Sequence, residues 1–487
     1  MKGDFSRISF DAKQHFSSVL QQQGRVTLDA DHNEGAAILL HYMRTLARDL
    51  LGPAAGPADH LGLQLKMDAE HKCLTITKGR YYVDGILVEI DRNCDYVNQP
   101  YRSKEDIDND PLAKQFPLSS DHDEFWIYVD VWERHITWIE DDSIREAALD
   151  GPDTCTRTQV VWQVRALSQT EIDKKQNQAQ SATQNQIKAS RRPPKTSQST
   201  ASQLVIADAA PSNGENSCNA PLRLLDRIST AHMTAQLDPG QAIKDPCTVA
   251  PDALYRGTEN QLYRVEIHQG SLDKNGRPTQ PTIKWSRDNG SIATRWLGMD
   301  GNAVLVTNTR GFSAGAWVEL SDDSHDLNGT PGTLVKIVSV ASDRLIVELP
   351  SQDISLCPSP ECHPKVRQWN QAENDDISLD KGAIPIDEAS CENWLTLEDG
   401  IQVRFSKDGT YRTGDYWLIP ARVATGSIAW PRRDDKGETH WLPKPPDGVE
   451  HHYAALGRLP AGGMKVEPCL CTITPALSCG KTLVTEQ

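Results

Sequence analysis

Phe125-Trp-Ile-Tyr-Val-Asp-Val-Trp132 and Gln159-Val-Val-Trp-Gln-Val-Arg-Ala-Leu167 decide how this chain is read. They are separated by an acidic connection, Glu140-Asp-Asp142, and a Gly151-Pro-Asp153 turn. Both runs alternate and are rich in β-branched and aromatic residues, the mark of half-buried strands. Neither sets a titratable residue where a nucleophile would lie beside a base. The segment is scaffold, and its chemistry is packing.

The same pattern extends in both directions. Upstream, Cys73-Leu-Thr-Ile-Thr77, Arg80-Tyr-Tyr-Val83 and Ile86-Leu-Val-Glu-Ile90 form a meander. Asp84-Gly85 is the type I′ hairpin signal, because both central positions need positive φ. Downstream, Leu262-Tyr-Arg-Val-Glu-Ile267 and Thr282-Ile-Lys-Trp285 flank a turn at Asp273-Lys-Asn-Gly276. Ala303-Val-Leu-Val306, Ala316-Trp-Val-Glu-Leu320, Thr333-Leu-Val-Lys-Ile-Val338 and Arg344-Leu-Ile-Val-Glu-Leu349 are spaced like the strands of one small SH3-like barrel. Trp394-Leu-Thr-Leu397, Ile401-Gln-Val-Arg-Phe405 and Tyr416-Trp-Leu-Ile419 continue the style.

One helix precedes these strands. Asp31-His-Asn-Glu34 has capping-box spacing, Ile38, Leu39, Tyr42, Leu46 and Leu50 recur at helical spacing, and Gly52-Pro53 stops it. The fold class is therefore mainly β, several small antiparallel modules of sandwich or barrel type with an N-terminal helix. The segments are 1–95 (helix and meander), 96–167 (Trp-rich), 168–220 (linker or arm), 221–300, 301–350 (the small barrel) and 351–487 (a β region with a Cys-containing tail). Residues 168–203 hold eight Gln, no aromatic, no Gly, and six basic against two acidic residues. Such a composition buries too little apolar surface to offset its ordering entropy, so an exposed arm is expected there.

Four blocks of this sequence resemble one family. The first is Met1-Lys-Gly-Asp-Phe-Ser-Arg7 with Gln22-Gln-Gly-Arg-Val26 and Leu28-Asp-Ala-Asp31. The second is Asp130-Val-Trp-Glu-Arg-His135 with Ile144-Arg-Glu146, Gly151-Pro-Asp153 and Val161-Trp-Gln-Val164. The third is Tyr263-Arg-Val-Glu-Ile-His268 with Lys284-Trp-Ser-Arg-Asp-Asn-Gly290. The fourth is Gly414-Asp-Tyr-Trp-Leu-Ile-Pro-Ala-Arg422 with His451-His-Tyr453. Together they are similar to a bacterial domain of unknown function associated with phage-tail-like, extracellular contractile injection systems. The resemblance implies an assembly role among tail, baseplate and sheath subunits, with the chain as a homo-oligomer in the particle, and it brings no catalytic residues.

Composition narrows the classes. A chain of 487 residues suggests two to four domains at roughly 100–200 residues each. Twelve Trp against 7 Phe, with 29 Pro and 32 Gly, favour short strands and many turns. A net charge of −16 opposes general nucleic-acid binding, which needs a basic face. The start has no apolar run of signal-peptide length, and no run approaches the ~18 residues of a spanning helix. Cytoplasmic synthesis is expected, in a cytoplasmic or later released particle, with no direct membrane span.

Catalytic-looking strings fail on their context. Gly311-Phe-Ser-Ala-Gly315 matches a nucleophile elbow, but that elbow runs from strand into helix, and here a strand follows. Gly480-Lys-Thr482 lacks the first glycine of a phosphate loop and the helix after it. Asp29-Ala-Asp-His-Asn33 begins like a calcium loop, but Glu34 stands where glycine is needed. Cys357, Cys362, His363 and Cys391, and separately Cys469, Cys471 and Cys479, offer soft ligands without repeated zinc spacing. Disulfides, metal and plain buried thiols stay open for them. His451-His452 point to opposite faces of a strand, so packing and backbone hydrogen bonds are expected. Glu140-Asp-Asp142 and Asp322-Asp-Ser-His-Asp326 read as hydrated turns, with cation binding or paired-carboxylate chemistry as the sharper alternatives.

No catalytic, cofactor or metal residue is therefore assigned. Three functions compete: a structural particle subunit, a carbohydrate- or cell-surface-binding module that grips sugar rings with exposed Trp, and a hydrolase. The apolar stripe of the helix is expected to pack on the chain's own meander at Ile38, Tyr42 and Leu46, with docking into a partner subunit as the alternative.

Overall fold

A computed structural model describes residues 1–174, 230–238 and 254–474, with Cys218, Leu222 and Leu225 between them. Within those spans, 69, 71, 150–152, 273–276, 350–353, 355, 358, 375–376, 408 and 436–437 are outside the description. The chain is mainly β, in several small antiparallel sheets, with few helices. It divides into two compact units, each assembled from three separate segments.

The first unit comprises Met1–His41, Glu133–Gln159 and Ile228–Glu450. Its barrel is closed by six strands, in order Ala293–Asp300, Ala303–Val306, Arg344–Val347, Thr333–Val340, Trp317–Ser321 and Lys365–Trp369. The four strands read from the sequence are all present. Two more, Ala293–Asp300 and Lys365–Trp369, close the ring from either side of the 301–350 segment. Val304, Val318, Leu320, Val335, Leu345 and Val366 fill its interior. Beside the barrel strands in this unit lies a five-stranded sheet in the order Ile384–Pro385, Thr282–Ser286, Gln261–Gln269, Tyr416–Arg422 and Ser427–Ile428. It shares one apolar core with a three-stranded sheet of Leu395–Thr396, Ile401–Phe405 and Met233–Leu237. Tyr263, Val265 and Ile267 enter that core from alternate positions of one strand.

The second unit comprises Tyr42–Trp132, Val160–Arg227 and His451–Gln487. The Phe125–Ile136 and Arg157–Ser168 strands, which carry the two opening runs, are neighbours in a sheet ordered Glu467–Pro468, His451–Leu459, Phe125–Ile136, Arg157–Ser168. The meander forms as read: Gly79–Val83 pairs with Ile86–Ile90 across Asp84 and Gly85, whose φ values are 48° and 81°. Ile127, Val129, Trp162 and Val164 share a core with Tyr81, Val83 and Val88. The Asp84-Gly85 turn lies so close to the helix that a Cβ on Gly85 would stand 2.2 Å from the Arg44 carbonyl oxygen. Gly85→Ala is therefore expected to cost roughly 1–3 kcal/mol through positive φ alone, with the clash added. A urea midpoint equal to that of the parent would contradict this packing.

Three expectations need correction. The helix, α1, spans Asp29–Leu51, so Asp31 lies inside its first turn and is not its cap. Glu34 accepts instead from the Ser9 hydroxyl at 2.5 Å, and Asp29 from the Ser6 amide at 2.9 Å. Gly52, at φ 79°, ends the helix as read. Next, Ser168 closes a strand, and Ile172 is buried with Leu167, Tyr128, Leu222 and Leu225. The arm cannot begin before that cluster, and 175–203 lie outside the described residues. The third correction concerns α1's apolar stripe. Ile38 is buried, but Leu39, Tyr42, Leu46 and Leu50 are exposed, so the stripe does not pack on the meander along its length. Among the described residues no helix is long and apolar enough to cross a membrane.

Candidate functional site

The Gln261–Gln269 strand has two buried faces. Tyr263, Val265 and Ile267 point into the sandwich core, so Arg264, Glu266 and His268 share the other side. On an ordinary antiparallel sheet that face would meet water. Here Arg264 and Glu266 are almost fully buried, as is Lys284, which stands directly opposite Glu266 on the paired strand. Glu319, from the barrel strand Trp317–Ser321, completes the layer.

The geometry is that of a closed ionic network. Lys284 donates to both Glu319 oxygens at 2.5 and 2.6 Å and stands 3.3 Å from Glu266. Arg264 donates to Glu266 at 2.6 Å, and Lys2 sits 3.0 Å from the same carboxylate. The Trp369 indole and the Gly332 amide donate to Glu319 at 3.1 and 3.2 Å. Arg264 lies 3.6 Å from the centre of the Tyr416 ring, and Lys284 lies 4.5 Å from that of Trp369. Arg264 also donates to the Met1 carbonyl, and Asn289 to the Gly3 carbonyl. Burial would raise the Glu319 carboxyl, but Lys284 overcomes it and holds the group well below the usual carboxylate range. Glu266 is lowered in the same way, by Lys2, Arg264 and Lys284 acting against burial. Burial leads the causes that lower His268.

A second network joins the two acidic clusters read as hydrated turns. Asp322 caps a helix, Asp323–Asn328, with a capping box to His325, and also accepts from the Cys357 amide at 2.8 Å. That helix carries Asp323 and Asp326 to Glu140, their carboxylate oxygens lying within 4.8 Å of one another. The centre is taken by the protein's own cations. Lys365 donates to Glu140 at 2.7 Å and to Asp326, and Arg134 donates to Asp323 and Asp326. Glu140 also accepts from the Thr137 amide and hydroxyl. Burial opposes its ionisation, but Lys365 wins and brings its carboxyl down to about 2. An ammonium and a guanidinium thus already stand at hydrogen-bond distance from these carboxylates.

The sulfur groups are separated. Cys357 is bonded to Cys362 and Cys469 to Cys218, and Cys479 lies outside the described residues. His363 points its Nδ1 at Asp323, 2.6 Å away. Among the described residues, the cysteines considered for zinc form no cluster of ligands, Cys357, Cys362, Cys218 and Cys469 being held in disulfides. Chelator treatment is expected to leave the melting temperature unchanged. Stoichiometric zinc, with a melting temperature that collapses on chelation, would overturn this.

In the second unit His451 and His452 do point apart, but each meets a carboxylate and not the backbone expected. His451 Nδ1 is 2.8 Å from Asp130, with its ring stacked on Trp132, and His452 Nδ1 is 3.0 Å from Asp84. Ser313 lies in the turn before the Trp317–Ser321 strand, with its amide held by Gln368 at 3.0 Å. Gly480-Lys-Thr482 lies outside the described residues.

The chain is a mainly β scaffold that buries two ionic networks. The chain belongs to the family of unknown function DUF6519, which it matches over residues 1–487. No curated protein matches it, and no solved structure does. Parts of all four blocks that carried the resemblance take part in these networks: Lys2 and Gly3; Arg134; Arg264, Glu266, Lys284 and Asn289; and Tyr416.

Proposed function

We propose that the protein is a non-enzymatic structural subunit of a phage-tail-like contractile injection particle, acting by protein–protein assembly in the baseplate, cage or fibre region. The observation that carries this reading is α1, a long helix with an apolar stripe turned to solvent (Leu39, Met43, Leu46 and Leu50), since large contiguous apolar surface on a soluble chain marks an interaction site. Buried ionic networks that tie distant segments together suit a part that must hold its shape. The tail, baseplate and sheath partners follow from the resemblance. The sugar-gripping alternative is disfavoured because none of the 12 Trp is exposed: each is buried or half-buried. Deleting the gene in a particle-producing strain tests the proposal. Particles should assemble or attach abnormally under electron microscopy, and wild-type particle number, morphology and attachment would contradict it.

A further inference from the structure

The exposed residues of α1 have a particular order. Leu39, Met43, Leu46 and Leu50 are 64, 69, 60 and 73% exposed, and they are spaced four, three and four residues apart. Alternating steps of three and four keep one seam on the same side of a helix, which is the a/d rule of a coiled coil. That spacing presents one continuous apolar seam, which a second helix can fill.

The spacing four–three–four is also its own reverse. A second α1 running antiparallel therefore meets each knob with a knob: Leu39 lies across from Leu50 of the second copy, and Met43 from its Leu46. The two-fold axis passes between Met43 and Leu46, so the contact closes on itself with no surplus surface, as an isologous dimer requires. Charge permits it, because the seam carries none and Arg44 and Arg48 sit at positions turned away from it. Asp49, the one charged residue on a flanking position, comes beside Tyr42 of the second copy and not beside a like charge. With the flanking Leu40 and Tyr42 also exposed, this face offers on the order of 700 Å², close to the about 800 Å² per partner of a standard interface.

We infer that α1 is a self-pairing helix, and that two copies of this chain associate through an antiparallel two-helix coiled coil centred between Met43 and Leu46. This goes beyond the particle reading and stands or falls without it, because purified chain alone tests it. Sedimentation velocity of the full chain across a concentration series should show a reversible two-chain species. Met43→Glu with Leu46→Glu should weaken that species by roughly 100-fold or more, with an unchanged melting temperature at dilutions where the parent is a single chain, because both positions face solvent there. Cysteine pairing supplies a second, geometric readout. The double variant Leu39→Cys/Leu50→Cys should oxidise to a covalent dimer beyond the wild-type background. Either single variant should not, because like positions would sit about 16 Å apart along the axis, eleven residues at 1.5 Å each. A one-chain mass at every concentration would overturn the inference and leave α1 for a different subunit. Dimer that persists in the glutamate variant, or efficient cross-linking of a single-cysteine variant, would overturn it as well.

Discussion

Glu319→Ala is expected to lower the stability of the first unit by about 3–5 kcal/mol, the range for removing one partner of a buried ion pair. The carboxylate holds Lys284 through two short contacts and also accepts from Trp369 and Gly332. Its loss leaves an ammonium almost fully buried, with Glu266 at 3.3 Å as its remaining carboxylate. Glu319→Gln keeps the shape and some acceptor capacity, so it should fall between. The double variant Lys284→Met/Glu319→Leu should recover most of the loss, since apolar replacement of a whole buried pair is often close to neutral. The urea midpoint of the three variants measures this. A loss below about 1 kcal/mol for Glu319→Ala would mean that the pair is solvated.

Acid should unfold this unit in two windows. Burial and nearby positive charges, the chain's amino group and Arg367 among them, push the His135 imidazole from 6.5 down to about 3. Its Nε2 is buried without a hydrogen-bond partner. The unfolded chain therefore takes up that proton from pH 6.5 downward while the folded chain refuses it until about 3. Stability falls as pH falls through this window, and His268, also lowered, has the same sign. Glu140 acts lower: its folded value of about 2 against an ordinary 4.5 supplies stability that is complete above 4.5 and is lost as pH falls toward 2. His325, raised because Asp322 outweighs its burial, runs oppositely and loses its contribution as pH rises. Melting temperature against pH should thus slope down from near pH 6.5, steepening below 4.5. His135→Asn should flatten the upper part, and Lys365→Met should lower stability at neutral pH while flattening the lower part. A melting temperature level from pH 7 to 4 would contradict the buried neutral imidazoles.

The strands were legible wherever side-chain alternation and turn chemistry agreed. Asp84-Gly85 carried the hairpin because few residues tolerate its φ values, and the barrel strands showed as short β-branched runs between turns. What alternation does not reveal is the environment of its polar face. Arg264, Glu266 and Lys284 have the spacing of a solvated surface, yet Met1 and Lys2 meet the first two and Glu319 of a barrel strand meets the third. The one local signal was opposite charge at directly paired positions on neighbouring strands. Asp322 to Asp326 misled for a related reason: a short acidic run reads as a hydrated turn unless its cations are known, and Arg134 and Lys365 lie 189 and 39 residues away in sequence from the aspartates they hold. The Cys218–Cys469 bond, across 251 residues, had no local signature at all. The helix was visible as a pattern, but whether its stripe faces inward is a tertiary fact, and Ile38 alone of the stripe followed the expectation of burial.

Particle fractionation tests the assembly role most directly. Contractile particles purified from a producing strain by density gradient, then analysed by quantitative mass spectrometry, should contain this chain at a fixed ratio to tube and sheath subunits through every particle fraction. Recovery of the chain solely in the free soluble fraction, from cells whose particles are intact and complete, would contradict the account.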